Sequence, residues 1–161
     1  MLGDDIRVLA RGPGWLFAAW QQAYILDWKA PISIENLDAS VAGARTVLET
    51  FPELATINVI HKRMSLPPNE LREYAKKKMA ESPVGVRCHA TALTERGFWA
   101  SAMRAAMTGI YMVERTDFPR KVFAEVVEAV DWSGELLGRD RDWCRKALAA
   151  AEAVMAENQP E

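Results

Sequence analysis

The sequence predicts an α/β fold in which helices cover a mixed, mostly parallel sheet. Three observations lead to this prediction. Two aromatic-rich apolar runs stand only two residues apart, short apolar strands then alternate with amphipathic helices, and proline or glycine marks most junctions. A two-residue gap between apolar runs is typical of a β-hairpin, and alternating strands and helices imply crossovers between parallel strands. We therefore expect a hairpin start, a run of strand–helix units and one extra C-terminal helix.

Alternation and β-branching identify the strands. WLFAAW and AYILDW predict the hairpin, although Gln21 and Gln22 are a poor turn pair. LATINVIH is short, apolar and β-branched, which is typical of a strand with helices on both faces. Val86, Cys88 and Ala90 alternate with polar residues in the next strand. The predicted strands cover residues 6–10, 15–20, 23–28, 54–61, 84–93 and 120–124.

Apolar residues that recur every three or four positions identify the helices. Ser33 is placed to cap the first helix and Thr94 the third, because hydroxyl side chains accept hydrogen bonds from the first free backbone N–H groups. Gly138 separates the last two helices. The predicted helices cover residues 33–51, 68–81, 94–113, 125–137 and 140–158. We expect a single domain over residues 1–138, with its hairpin from about residue 15, and an appended helix and short tail over residues 139–161.

Composition excludes several classes of protein. The 161 residues carry a net charge of −2, so the chain has no general attraction to nucleic acid. No stretch reaches the roughly 18 apolar residues that a membrane span needs. Cys88 and Cys144 lie far apart, without the spacing of a disulfide framework or a zinc site. The start of the chain has two early acids and no signal-peptide pattern, so a cytoplasmic location is predicted.

Two segments give the chain a resemblance to a known family. FPRKVFAEVVEAVDW, residues 118–132, is similar to the last strand and helix of STAS domains, and ERGFWASAMRAAMTG, residues 95–109, stands where that family has its third helix. With the element order, these segments resemble the STAS fold of the anti-sigma factor antagonists and their SpoIIAA-like relatives. The resemblance implies a non-enzymatic regulatory module. In the antagonists, a partner kinase phosphorylates a serine or threonine at the start of the second helix.

The corresponding junction in this chain departs from the family pattern. Ser65 is the only hydroxyl in KRMSLPPNE, and it lies between Met64 and Leu66. Because a residue before proline avoids the helical region, the helix should begin at Pro68 or later and leave Ser65 outside its cap. We therefore do not predict a phosphorylation switch at Ser65.

The strand end before that junction is the predicted binding site. His61, Lys62, Arg63 and Ser65 follow a central strand, at the edge where open α/β sheets tend to bind ligands. They are candidates for contacts to an anion, a nucleotide or a lipid, although a basic cluster at a strand end is also a common solvated surface. His89 is the only other histidine, and it would meet His61 only if their strands are adjacent, as two of the ligands of a metal site.

No catalytic constellation is present. Cys88 and His89 are neighbours on one strand and must point to opposite faces, so they cannot form a nucleophile–base pair. No glycine-rich phosphate loop or acid pair occurs, so no cofactor is predicted. The first interpretation is a regulatory or protein–protein interaction module with a protein partner or self-association. The alternative is a small-ligand binding protein or an enzyme that uses the strand end near residues 61–65.

Overall fold

A computed structural model describes residues 2–61 and 67–159. Six strands within these ranges form one sheet, and their order in space follows their order in the chain. They are β1 (Arg7–Gly12), β2 (Trp15–Trp20), β3 (Ala23–Trp28), β4 (Leu54–Ile60), β5 (Val86–Leu93) and β6 (Arg120–Phe123). The first three strands pair antiparallel, and β3 to β6 pair parallel. The predicted α/β class with a mixed sheet is confirmed.

Five helices accompany the sheet in the described part of the chain. They are α1 (Ile34–Leu48), α2 (Asn69–Ala80), α3 (Phe98–Val113), α4 (Val126–Leu136) and α5 (Arg141–Glu157). α4 and α5 pack on one face of the sheet, and α1, α2 and α3 lie over the other. Each helix falls inside the range that its apolar periodicity predicts.

The β2–β3 hairpin has the predicted two-residue turn. Trp20 pairs with Ala23, so only Gln21 and Gln22 lie between the strands, and Gln21 adopts a left-handed φ of 48°. Residues of α5 and of the connection before it support this turn from outside, since Trp143 Nε1 donates to Gln21 Oε1 at 3.1 Å and Arg139 Nε donates to Gln22 Oε1 at 2.9 Å. These tertiary bonds favour a turn that the glutamine pair does not favour alone.

The face of the sheet under α4 and α5, called here the packed face, is closed and apolar. Its buried side chains are Leu16, Ala18, Trp20, Ala23, Ile25, Ala55, Ile57, Val59, Cys88, Ala90, Ala92 and Phe123. Many are alanines, and small side chains let the helices approach the strands closely. The two helices also approach each other closely, because a Cβ at Gly134 would lie 2.3 Å from Cys144 Sγ.

The opposite side, called here the cavity face, is built from the alternate residues of the same strands. These include Tyr24, Leu26, Thr56, Asn58, His89 and Thr91. α1 packs directly on this face, and a Cβ at Gly43 would lie 2.2 Å from Tyr24 Oη, which donates to Ser40 O at 2.8 Å. By contrast, α2 buries no residue and α3 buries only Ala100. α2 packs mainly on α1 and α3 mainly on β6, so both stand off the centre of the sheet.

One of the two predicted helix caps is correct. Ser33 Oγ accepts the N–H of Asn36 at 3.2 Å, and Asn36 Oδ1 accepts the N–H of Ser33 at 2.7 Å. The predicted Thr94 cap is wrong, because α3 begins later, after Gly97 with φ 102°. Thr94 instead extends the β4–β5 ladder, where its N–H donates to Ile60 O at 3.0 Å.

The C-terminal helix α5 shares the core of the packed face. Trp143, Ala147, Ala151 and Val154 are buried in the same cluster as the strand residues beneath them. Its C-terminal end is held by Lys29, whose Nζ donates to Met155 O at 2.7 Å. The domain boundary that the sequence places after residue 138 stays a prediction, and this packing provides a direct test of it.

Candidate ligand-binding site

A cavity of about 530 Å³ lies between the cavity face and the helices α1, α2 and α3. It exists because α2 and α3 do not reach the centre of the sheet. Short side chains such as Thr56 and Thr91 on the strands below them leave that space open. Sites for small molecules commonly have volumes of about 300–1,000 Å³. The cavity is therefore of a size to accept a small ligand.

Apolar side chains from the three helices form most of the cavity wall. They are Leu37, Val41 and Ala44 of α1, Leu71 and Met79 of α2, and Trp99, Met103, Met107 and Ile110 of α3. Methionine is unbranched and changes rotamer easily, so a wall with several methionines adapts its shape to what it contacts. An apolar body is the chemical match for these walls.

Hydrogen-bonded polar side chains cross the floor of the cavity from β3 to β5. Trp28 Nε1 donates to Asn58 Oδ1 at 3.1 Å, and Asn58 Nδ2 lies 2.6 Å from His89 Nε2. The indole N–H can only donate, so Asn58 presents its carbonyl to Trp28 and its NH₂ group to His89. His89 Nε2 must then accept, which places the proton of the neutral imidazole on Nδ1.

The surroundings of His89 favour this neutral form. Burial, and to a smaller extent the positive charge of Arg120, lower the pKa of His89 from 6.5 to about 4. The ring is therefore uncharged at neutral pH. Among residues 2–61 and 67–159, no side chain or backbone oxygen accepts from its Nδ1–H. His89 thus offers one neutral hydrogen-bond donor in the cavity lining.

Arg120, Tyr111 and Glu114 form the end of the cavity near β6. The side chain of Arg120 is only 4% exposed, and its guanidinium carbon lies 4.2 Å from the centre of the Tyr111 ring. Its Nη2 donates to Glu114 O at 3.1 Å and lies 3.4 Å from Glu114 Oε2. Burial raises the pKa of Tyr111, whose hydroxyl is 3.4 Å from Thr91 Oγ1. This end therefore combines a buried cation with a protonated phenol.

His61, the predicted site residue that the structure describes, lies at a different place from this cavity floor. His61 follows β4, where its Nε2 contacts Asp27 Oδ1 and its Nδ1 lies 3.4 Å from Thr94 Oγ1. Lys62, Arg63 and Ser65 fall outside the described residues, so their part in a binding site stays a prediction. Asp27 was not among the sequence candidates, and its side chain is completely buried.

The contacts of Asp27 join the strand ends to the end of α5. Asn158 Nδ2 donates to Asp27 Oδ2 at 2.8 Å, and Lys29 Nζ lies 3.9 Å from the same oxygen. With His61 on Oδ1, both carboxylate oxygens have partners. A histidine between a carboxylate and a hydroxyl can transfer protons, but the hydroxyl of Thr94 already donates to Ile60 O at 3.1 Å. We therefore assign this cluster an anchoring role for α5.

The two histidines do not share a site. His61 contacts Asp27 and Thr94, whereas His89 contacts Asn58, so the two rings do not meet although β4 and β5 are adjacent. In the part of the chain that the structure describes, no group of three histidine, cysteine or acidic side chains could hold a metal ion. Cys88 and His89 do point to opposite faces, as the strand alternation predicts.

Sequence reasoning missed the polar floor of the cavity. Thr56 and Asn58 alternate with apolar residues in LATINVI, and His89 and Thr91 do so in the following strand. Two neighbouring parallel strands with polar residues at alternate positions place those residues on one face of the sheet. That pattern could have indicated a polar patch. No sequence pattern indicated that Arg120 and Tyr111 lie together, because their contact depends on the tertiary position of α3.

Comparisons with protein-family models, with curated proteins and with solved structures found no match to this chain. None of the helices in the described ranges is both long enough and apolar enough to cross a bilayer. The chemistry of the cavity is therefore the basis on which a function can be inferred.

Proposed function

We propose that this chain is a binding protein for a small, largely apolar molecule that carries a hydrogen-bond acceptor. The observation that carries the proposal is the cavity of about 530 Å³, whose walls are apolar and whose floor presents the free donor of His89. Apolar contact would supply affinity, and the few polar groups would fix the orientation of the ligand.

The energetics of the site support a ligand of this type. Each square ångström of apolar surface removed from water contributes about 25 cal/mol, so an apolar body gains from contact with Met103 and Met107. The Nδ1–H of His89 has no protein partner among the described residues, so an acceptor placed there gains a hydrogen bond that fixes the orientation of the ligand. A ligand with both features stabilises the folded protein in proportion to its affinity.

A matched pair of tryptophan substitutions on α3 tests the proposal. Met107 lines the cavity, whereas Met112 on the same helix is 82% exposed. Decanol is a suitable probe, because it has an apolar chain and one neutral acceptor. We expect calorimetry to show decanol binding to the unmodified protein and to Met112→Trp. Met107→Trp should fill the cavity and weaken binding by about tenfold or more.

Two results would contradict the proposal. Decanol that fails to bind the folded, unmodified protein would show that the cavity does not accept an apolar molecule of this length. Equal affinity in Met107→Trp and Met112→Trp would place the binding elsewhere on the molecule.

A regulatory or protein-interaction module with a STAS-like fold remains a second candidate. It is supported by exposed apolar side chains on α3, where Phe98 is 90% exposed and Val113 is 83% exposed. The hairpin followed by alternating strands and helices supports the resemblance in fold. Light scattering of the unmodified protein and of a Phe98→Ser, Val113→Ser double variant tests self-association. If the unmodified protein has the mass of two chains and the variant has the mass of one, the result would favour this candidate. If both proteins have the mass of a single chain, the result would count against self-association.

A further inference from the structure

Arg120 has more hydrogen-bonding capacity than its present contacts use. A guanidinium group carries five N–H donors. Within residues 2–61 and 67–159, its hydrogen bonds all go to Glu114, at 3.1, 3.4 and 3.5 Å. Charge-assisted N–H···O bonds are usually about 2.7–2.9 Å long, so this pairing is loose. A nearly buried cation with a loosely held counter-ion is a site where another anion can bind.

The two members of the pair differ in how firmly they are held. Arg120 is 4% exposed and lies over the Tyr111 ring, and its backbone belongs to β6. Glu114 is 32% exposed and follows the last residue of α3, so its side chain can turn into solvent without breaking a helix contact. The cation is therefore fixed, and its carboxylate partner is exchangeable.

The charges around the cavity also favour an anion. Four cationic and two acidic side chains line it, in a chain whose net charge is −2. They are Arg72, Lys76, Lys78 and Arg120 against Glu73 and Glu114. His89 is the partner of Arg120 across the β5–β6 pairing and adds its Nδ1–H donor to the same end. Arg120 and His89 thus place donors at the same end, and a group with two acceptor oxygens matches them better than a hydroxyl.

We propose that the ligand of this cavity carries a carboxylate on an apolar body, and that the carboxylate pairs with Arg120 in place of Glu114. This inference rests on the proposed function and adds the charge of the ligand to it. The apolar body then lies along the methionine wall of α3, and Glu114 turns outward when the ligand enters. Glu114 competes with the ligand for the same cation.

Decanoate and decanol are the probes that test this proposal. They share the same apolar chain and differ only in the head group, which is a carboxylate in one and a hydroxymethyl group in the other. Calorimetry at neutral pH should show that the unmodified protein binds decanoate about tenfold or more tightly than decanol. Arg120→Gln should remove this preference, while Lys121→Met, the neighbouring exposed cation on β6, should keep it. Glu114→Gln removes the competing carboxylate and should tighten decanoate binding several-fold without changing decanol binding.

The outcomes separate this inference from the proposed function. If both probes bind with equal affinity, or if Arg120→Gln keeps the preference for decanoate, the carboxylate assignment is wrong and the cavity still binds an apolar molecule. If Arg120→Gln does not fold, the Glu114→Gln variant tests the carboxylate assignment instead. A decanoate affinity in Glu114→Gln equal to that of the unmodified protein would then overturn the proposal. If neither probe binds, the proposed function fails and this inference fails with it.

Discussion

The two faces of the central sheet differ sharply, although the same strands build both. On β5, Ala90 is completely buried beneath α4 on the packed face, while its neighbours His89 and Thr91 lie on the cavity face. α4 and α5 bury nine residues between them, but α2 and α3 bury one. The packed face is closed by both of its helices, whereas the cavity face is closed where α1 packs on it and open beneath α2 and α3.

The difference shows what polar residues do in the centre of a sheet. A helix can pack closely on Ala90 and Ala92, because these side chains are small and have no polar groups. On the cavity face, Asn58 and Thr91 are buried and already have side-chain partners, while α2 and α3 stand off the strands above them. The cavity is the space between that polar floor and the two helices.

Removal of α5 should have the largest effect, because it uncovers the packed face. Deletion after Gly138 exposes Trp20 and Ile25 and removes Asn158, a donor to the buried carboxylate of Asp27. We expect the shortened chain to lose cooperative thermal unfolding, measured by circular dichroism. Deletion of residues 160–161, the control, should leave cooperative unfolding unchanged. A shortened chain that still unfolds cooperatively would instead support the domain boundary predicted after residue 138.

The second-largest effect should be a difference in thiol reactivity between the two faces. Cys88 is completely buried on the packed face, and burial raises the pKa of its thiol to about 11. In a Cys144→Ser background, Cys88 should react with methyl methanethiosulfonate roughly 100-fold or more slowly than a cysteine introduced by Met103→Cys at the cavity. Mass spectrometry of timed samples measures both rates. Equal rates without denaturant would show that the packed face is open.

Leucine substitutions at neighbouring positions of β5 compare the room on each face. Ala90→Leu adds volume to a filled core and should lower the free energy of unfolding by about 1–3 kcal/mol. Thr91→Leu adds volume to the cavity wall and loses only the 3.4 Å contact to Tyr111, so its cost should stay within about 1 kcal/mol. Urea denaturation measures both. The reverse ranking would contradict the assignment of the faces.

The smallest expected effect is a pH dependence due to His89. Its pKa is 6.5 in the unfolded chain and about 4 in the folded protein, so the unfolded state binds more protons between these values. The free energy of unfolding should therefore fall as the pH is lowered from 6.5 to 4. Because the ring is only half-buried, a loss on the order of 1 kcal/mol is expected.

His89→Gln is the matched variant for this effect, since it removes the titrating ring and keeps a polar side chain. The slope of unfolding free energy against pH should be shallower in the variant than in the unmodified protein. NMR titration of the imidazole gives an independent value, and a ring that titrates near 6.5 would show that His89 is not desolvated.

Local patterns predicted the elements of this fold well, but they did not indicate the cavity. Apolar periodicity is a local property, so the helices and strands could be read from it, as could the opposite orientations of Cys88 and His89. The cap at Thr94 failed because a backbone bond to Ile60 extends the strand there. The cavity depends on how far α2 and α3 stand from the sheet, and no local pattern contains that distance.

The surroundings of His61 illustrate the same limit. Its position after a central strand suggested a ligand contact, but its partner Asp27 lies 34 residues earlier and is itself held by Asn158 near the other end of the chain. Only the folded chain brings these three residues together. The predicted part of His61 in ligand binding stays a prediction.

The most direct test of the account is to locate where a small apolar acid binds. Backbone amide NMR spectra recorded during titration with decanoate would show this residue by residue. We expect the largest shifts on the cavity face and α3, at Asn58, Thr91 and Met107, while the signals of Ala147 and Val154 of α5 should not move. Saturating shifts confined to α4 and α5, or no shifts at all, would contradict it.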